Sequence, residues 1–245
     1  MCINAKGVIY TQNLKMQSDE LSSELPARQF KRSINLKSLL YCNMAIFGGF
    51  MAGYTILFCL GYMASSQTTN MVNIILAILG RNLSDFAVRL GALCVYALGL
   101  FSFVFIKNKT KIDVKLASII IDAAAIIVIG LISDTCHPIV AVYPASFALP
   151  FQWCAFGVID GYVSASIFST NNLKQFTTAV FEYLITKNRT KLSKAKAYGK
   201  SLLSFYIGVI YCYCLVKCLG KYAVFGGLIF ILSAILIFIA EKNKN

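Results

Sequence analysis

The sequence predicts an all-α fold: a polytopic membrane helix bundle of about six spans with two short re-entrant or broken segments, built as an internal, inverted repeat. Of its 245 residues, 58% are hydrophobic and the mean hydropathy is +0.70, more than the core of a soluble domain requires. The 23 Lys and Arg outnumber the 10 Asp and Glu and lie mostly between apolar runs. That placement indicates membrane topology rather than nucleic-acid binding.

The first 36 residues are polar and mixed in charge. They lack the basic start, apolar middle and small-residue cleavage site of a secretory signal. We therefore expect a cytoplasmic N-terminal tail over residues 1–36, followed by a membrane domain over residues 37–245. An amphipathic surface helix over residues 18–30 is the alternative for this tail.

Six apolar segments are long enough to cross about 30 Å of hydrocarbon, which takes roughly 17 to 25 helical residues. They are residues 39–63, 86–106, 116–132, 139–168, 201–219 and 222–240. The fourth is too long for one straight span, and its three prolines predict an irregular or kinked start. Residues 71–80 and 176–185 are apolar but only about ten residues long, which favours re-entrant or interfacial segments.

Charge distribution favours six crossings over eight, because cytoplasmic loops collect Lys and Arg. With both termini inside and neither short segment crossing, 19 of the 23 basic residues are cytoplasmic and four are external. If both short segments cross, the division becomes 16 to seven. We therefore predict a multi-pass protein of the bacterial cytoplasmic membrane with both termini in the cytoplasm.

An internal repeat is indicated between residues 39–132 and 139–240. "GFMAGY" (residues 49–54) and "GVIDGY" (residues 157–162) align without a gap. The same offset of 108 residues pairs Gln67 with Gln175 and Thr69 with Thr177, and Gly99 pairs with Gly208 one residue further on. Three spans per half would invert the second half relative to the first. Inverted repeats with broken segments near the midplane are common among transporters.

The run from Gly49 through "QTTNMVNIILAILG", with "CAFGVIDGYVSASIFSTNNLKQFTTAV", resembles the bacterial YoaK-type membrane proteins, a domain-of-unknown-function family. The resemblance implies a Gly-x-x-Asp stretch in the first helix, then a Thr-Gly-Asn turn and a related turn in the second half. Here the first turn reads Thr68-Thr69-Asn70, Ala52 stands at the acidic position, and the second turn is matched best by Thr177 and Thr178. The family implies no substrate.

Two Gly-x-x-x-Gly pairs, Gly49 with Gly53 and Gly157 with Gly161, predict close helix packing, and the two first helices would cross at the repeat axis. Asp160 lies between the second pair of glycines, at a depth where an acid should face the bundle interior. It is interpreted either as a proton or cation site or as a neutral acid that donates a hydrogen bond between helices.

Several polar residues are candidate partners in a site. Gln152 and Ser164 share the predicted helix face of Asp160. Asp122 is a second intramembrane acid, and Arg89 either balances one of the two acids or extends to the interface. The polar turns either coordinate a solute or cap the following helices, and their candidate residues are Gln67, Thr68, Thr69, Asn70, Thr177 and Thr178.

Enzymatic chemistry is not predicted. The nine cysteines and single histidine do not form a metal-site pattern, and the sequence has no glycine-rich phosphate loop or nucleophile elbow. We therefore expect no metal, cofactor or nucleic-acid partner, while an oligomer is compatible with the sequence. The leading hypothesis is a carrier for a small solute or ion in which Asp160 and the two polar turns line a site at the repeat interface, with proton coupling as an option. The alternative is a non-transporting scaffold or regulatory protein in which Asp160 only joins helices.

Overall fold

A computed structural model describes residues 27–59, 61–132 and 135–244, with side chains described from residue 36 onward. The fold is all-α, as predicted. The helices are α1 (Ala27–Phe58), α2 (Gln67–Leu79), α3 (Leu83–Lys109), α4 (Val114–Leu131), α5 (Tyr143–Ala155), α6 (Thr170–Thr186), α7 (Arg189–Leu219) and α8 (Leu228–Lys242). Short 3-10 helices cover Val140–Val142 and Gly220–Gly227. Most of the predicted tail, including the alternative helix up to residue 26, lies outside the described residues.

Four helical stretches in the described part of the chain are long and apolar enough to cross a membrane: Leu36–Phe58, Leu83–Lys109, Val114–Leu131 and Arg189–Lys242. The chain is therefore a membrane protein by length and composition, with four candidate spans where the sequence predicts six. Both predicted short segments are helices, α2 of 13 residues and α6 of 17 residues. The last stretch contains both α7 and α8, and it doubles back, because Tyr211 packs on Phe230 with ring centroids 5.2 Å apart.

The predicted fourth span is wrong over its second half. Helix α5 ends at Ala155, and the chain then forms a two-stranded hairpin of β1 (Val158–Ile159) and β2 (Tyr162–Val163). Asp160 and Gly161 form its two-residue turn with φ of 47° and 84°. Asp-Gly suits a turn with two positive φ angles, and this preference overrides the helical appearance of the apolar run.

This hairpin also corrects the second predicted glycine pair. Gly157 lies between α5 and β1 and Gly161 lies in the turn, so neither packs a helix. The first pair behaves as predicted. A methyl group on Gly49 would overlap the carbonyl oxygen of Phe205, and one on Gly53 would lie 3.3 Å from the Cβ of Cys212. Both glycines therefore bring α1 close to α7.

Helix α1 is the most central of the spans, since two thirds of its most apolar window is buried against 22% for α3. It runs parallel to α7, with contacts from Tyr41 and Ser201 at one end to Gly53 and Cys212 further along. Gly208 of α7 in turn faces the carbonyl of Ile46. Helix α1 therefore packs closely on α7, although residues in contact, such as Tyr41 and Ser201, are 160 positions apart in the sequence.

A similar contact joins α5 to α3. Tyr143 donates its hydroxyl to the carbonyl of Val88 at 2.7 Å, and Phe151 packs edge-on against Phe103 further along both helices. Between these contacts, Gly99 lies directly against the carbonyl of Phe147. The two helices are therefore parallel and, as in the α1–α7 pair, a glycine allows a close backbone approach.

Helices α4 and α8 lie side by side in opposite directions. At one end, Lys115 pairs with Glu241 at 3.5 Å. Further along, Ile126 of α4 lies next to Gly227, which precedes α8. Helix α1 also packs on α8, and helix α5 also packs on α4. Helix α1 therefore contacts α7 and α8, and helix α5 contacts α3 and α4.

Candidate functional site

Asn70 holds the start of the short helix α2. Its side-chain amide donates to the carbonyls of Met63 at 3.0 Å and Ser66 at 2.8 Å. These acceptors lie seven and four residues before it, so the amide closes the loop that leads from α1 into α2. Asn70 is buried, and its position in the Thr-Thr-Asn turn was predicted to be functional.

Asn172 holds the start of α6 in the same way. Its amide donates to the carbonyls of Ala165 at 2.7 Å and Phe168 at 3.4 Å, again seven and four residues earlier. The predicted offset of 108 residues is therefore wrong for the polar turns. Thr177 and Thr178 lie exposed within α6 rather than in a turn, and Thr170-Asn171-Asn172 matches the first turn.

A buried polar cluster surrounds Asn172. The Tyr41 hydroxyl lies 2.7 Å from the Ser164 hydroxyl and 2.8 Å from that of Ser201. Ser164 donates to the Asn172 carbonyl oxygen at 2.9 Å, and the Asn172 amide donates to Ser201 at 2.9 Å. Ser164 is thus part of a network that joins the loop before α6 to α1 and α7, and it is not a partner of Asp160.

Gln152 supports the same loop from α5. It donates to the Met44 carbonyl at 2.8 Å and to the Ser166 hydroxyl at 3.2 Å. Its side-chain oxygen is buried and has no hydrogen-bond partner among the described residues. Loop backbone buried inside a membrane protein needs such partners, because no water is available to replace them.

A cleft of about 570 Å³ lies between the starts of α2 and α6. Its depth in the bundle is close to the centre of the spans, because Tyr96 in its wall is at the midpoint of α3. It is lined by polar residues of both turns and by apolar side chains, namely Ser65, Ser66, Gln67, Thr68, Met71, Tyr96, Trp153, Phe168, Thr170, Asn171 and Lys174. The structure therefore brings the predicted Gln67 and Thr68 together with residues of the second turn.

Neither helix start at the cleft is capped by a side chain. Ser66 makes no capping hydrogen bond, and the Ser169 hydroxyl instead lies 3.2 Å from the Tyr206 hydroxyl of α7. Helices α3, α4 and α7, in contrast, begin with capping side chains that accept from backbone N–H groups. Helices α5 and α8 also lack a capping side chain, but each continues directly from a 3-10 helix. The first N–H groups of a helix have no partner inside the helix, so those of α2 and α6 are left available at the cleft.

Two further polar groups border the cleft. Ser65 is 1% exposed, and its hydroxyl has no hydrogen-bond partner among the described residues. Lys174 adds a positive charge from the first turns of α6. Beside the cleft, the Tyr62 hydroxyl donates to the side-chain oxygen of Gln67 at 3.5 Å.

The predicted charged residues lie elsewhere. Asp160 lies in the hairpin turn, outside any helix, where it accepts from the Lys200 ammonium of α7 at 2.8 Å, and it does not line the cleft between α2 and α6. Arg89 pairs with Asp85 at 2.8 Å on its own helix, a partner the sequence reading missed. Asp122 is fully buried in α4, where Ser118 donates to it at 3.3 Å.

The sequence reading also missed Tyr41, Asn172 and Ser201. A usable signal exists for Asn172, since Thr68-Thr69-Asn70 and Thr170-Asn171-Asn172 share Thr-x-Asn at a helix start. Tyr41 and Ser201 are ordinary residues of long helices and carry no such signal. Among the described residues, no group of three or more His, Cys, Asp or Glu side chains could hold a metal ion.

Comparison with known proteins gives a single family. The family model described as "protein of unknown function (DUF1275)" matches residues 40–239, which is most of the chain. YoaK-type proteins fall in this family, so the resemblance seen in the sequence is confirmed at family level. No curated protein and no solved structure matches the chain. The chain belongs to the DUF1275 family.

Proposed function

We propose that this member of the DUF1275 family is a membrane carrier for a small solute and that the cleft between α2 and α6 is its binding site. One observation carries the proposal: two helix starts, each held by an asparagine in the same way, face a common cleft at mid-depth in the bundle. Broken helices whose starts meet a solute near the membrane centre are a recurrent transporter design.

An inverted repeat is part of this proposal. Helices α1 to α4 would correspond in order to α5 to α8. The antiparallel contact of α4 with α8 supports an axis in the membrane plane, and so do the reciprocal pairs α1–α7 and α5–α3. The contacts of Gly99 and Gly208 with the opposite first helix favour the sequence pairing of these two residues. Six crossings follow from this proposal, by α1, α3, α4, α5, α7 and α8. Because α5 has only 13 residues, its crossing includes the 3-10 helix before it and the hairpin after it.

The ends of the bundle support a cytoplasmic location for both termini. A second cleft of about 350 Å³ at one end is lined by Lys37, Lys115 and Asp160 among others. Lys242, near the C-terminus, pairs with Asp113 at the same end at 2.8 Å. Lys and Arg collect on the cytoplasmic side of membrane proteins, so we assign this end to the cytoplasm. The bacterial cytoplasmic membrane and a YoaK-type identity stay predictions.

Proton coupling through Asp160 is not carried into the proposal. That role rests on an acid in a membrane helix, whereas Asp160 lies in a β-turn and is paired with Lys200. A non-transporting scaffold remains the competing function. The ion pair with Lys200 favours a structural role for Asp160 itself. In that case the acid only joins the hairpin to α7.

Reconstitution tests the carrier. The full chain in proteoliposomes is expected to give solid-supported-membrane currents or labelled uptake with at least one member of a panel of anionic, cationic and neutral small solutes. Thr170→Trp should abolish the signal by filling the cleft. Thr177→Trp is the matched control, because Thr177 is exposed on the same helix outside the cleft.

Two results would overturn the carrier. The first is a well-folded protein whose signals equal those of empty liposomes for the whole panel, which would favour the scaffold. The second is transport that Thr170→Trp leaves unchanged, since the route would then avoid the cleft.

A further inference from the structure

We infer that the cleft between α2 and α6 selects a small organic anion, a carboxylate or phosphate joined to an apolar body. The inference rests on the proposed function only for the claim that the bound solute is also transported. Binding itself is argued from the cleft, and it can be measured without transport.

The two helix starts supply the first part of the argument. Each helix N-terminus carries the equivalent of about half a positive charge on its unpaired N–H groups. α2 and α6, of 13 and 17 residues, both present these groups to the cleft without a capping side chain. Two such ends directed at one space repel each other unless an anion, or an acceptor that replaces it, lies between them.

An independent observation comes from Ser65. Its hydroxyl is buried in the cleft wall and is unpartnered among the described residues. A buried hydroxyl without a partner loses the hydrogen bonds that it would make in water, so such groups call for an explanation. Ser65 lines the cleft, so a rotation of its side chain would let a bound acceptor satisfy this hydroxyl, together with the nearby hydroxyls of Ser66, Thr68 and Thr170.

Charge around the cleft favours an anion over a cation. Lys174 is the one charged side chain among the described residues that line it, and there is no acid among them. Among the described residues, Lys174 forms no ion pair with an acid. A cation would meet an ammonium and two positive helix ends with no compensating carboxylate.

The apolar part of the lining indicates the rest of the solute. Met71, Tyr96, Trp153 and Phe168 form an apolar side, in which Trp153 meets Phe168 edge-on with ring centroids 4.9 Å apart. The volume of about 570 Å³ lies in the range of about 300 to 1,000 Å³ that is usual for small-molecule pockets. The cleft therefore suits a solute with one charged end and a hydrocarbon or aromatic end.

The protein carries its own probe, because Trp153 is its single tryptophan and lines the cleft. We would titrate the full chain in nanodiscs with hexanoate, hexyl phosphate, inorganic phosphate, chloride, hexanol and hexylammonium and follow Trp153 fluorescence. Hexanoate or hexyl phosphate should give a saturable change. Hexanol and hexylammonium should bind at least about tenfold more weakly, since each lacks the charge-assisted hydrogen bonds.

Variants connect binding to the cleft. Lys174→Gln should weaken binding of the organic anion about tenfold through loss of a charge-assisted bond. Lys187→Gln, at the other end of α6, is the matched control and should have no effect. Equal binding of hexanol or hexylammonium, or no effect of Lys174→Gln, would overturn the inference that the ligand is an anion. Saturable binding of chloride or inorganic phosphate without hexanoate or hexyl phosphate would overturn the apolar body.

The outcome separates this inference from the carrier. Anion binding without any transport current would support the anion-binding site and overturn the proposed carrier function. Transport of a neutral or cationic solute that Thr170→Trp abolishes would retain the carrier and overturn the anion.

Discussion

The starts of α2 and α6 share one local device and differ in what surrounds it. In both, an asparagine amide donates to carbonyls seven and four residues earlier. Among the described residues, the one further side chain to which the Asn70 amide donates is the neighbouring Gln67, at 3.4 Å. Asn172 belongs to a cluster that includes Tyr41 of α1 and Ser201 of α7. The same turn is therefore held by its own loop in the first case and by the bundle in the second.

This difference shows that the turn geometry and its anchoring are separable. The amide contacts are local in sequence, so they need only a Thr-x-Asn start and a loop of suitable length. The anchoring joins residues that are 160 positions apart, and it depends on the packing of α1 against α7. We therefore expect α2 to be the more mobile of the two helix starts.

Replacing Asn172 by Leu should cause the largest loss of stability among the substitutions that test this comparison. It removes three backbone contacts, two to the carbonyls of Ala165 and Phe168 and one from the Ala165 N–H, and it leaves Ser164 and Ser201 with unmatched groups in a buried site. Loss of about 3 kcal/mol or more of stability is expected, because each buried polar group left unpaired costs about 1 to 3 kcal/mol. The measurement is the melting temperature of the detergent-solubilised protein. A change no larger than that of Asn70→Leu would contradict the anchoring.

Replacing Asn70 by Leu should have an intermediate effect. The carbonyls of Met63 and Ser66 lose their donor, but no distant helix is released. A loss of about 1 to 2 kcal/mol is expected. Hydrogen exchange should localise the change to residues 63–72, and solute binding at the cleft should weaken. Exchange that spreads into α7 would show that this start is also anchored to the bundle.

Replacing Tyr41 by Phe tests the anchor alone. The ring stays in place while the hydroxyl contacts with Ser164 and Ser201 are lost. About 1 kcal/mol of destabilisation is expected, the usual net value of an intramolecular hydrogen bond. A double-mutant cycle with Ser201→Ala measures the coupling, and additive effects would argue against a shared network.

Replacing Asp160 by Asn should have the smallest effect. Asn tolerates a positive φ angle, and Asn-Gly is a preferred turn pair, so the hairpin is retained while the pair with Lys200 is lost. An exposed pair of this kind contributes about 0 to 1 kcal/mol. Melting temperature and anion binding should both stay close to those of the parent. Loss of transport in this variant would restore Asp160 as a functional acid.

The membrane class and the packing of Gly49 and Gly53 could be predicted because they depend on composition and on small residues at helical spacing. The hairpin was missed because its strands are two residues each, too short to show alternation, and they lie in an apolar run that also fits a helix. Only Asp160-Gly161 carried the turn signal.

The cleft was predicted in part. Gln67 and Thr68 could be identified because they follow a long apolar helix and precede a short one. The matching turn in the second half lies six residues earlier than predicted, because the glycines align at an offset of 108 residues whereas Asn70 and Asn172 are 102 residues apart. Ser65, Tyr96 and Trp153 meet the cleft only through the packing of separate helices, which no local pattern in a single sequence encodes.

The close contact of Gly49 with Phe205 sets an order for biosynthesis. Helix α1 precedes α7 in synthesis, so the face formed by Gly49 and Gly53 gains all its partners on α7 only after the chain has grown past Cys212. The same holds for Tyr41, whose buried partner Ser201 is 160 residues away. Membrane insertion and folding are therefore separate events for this chain, and α1 is inserted early but reaches its final position only after α7 has followed.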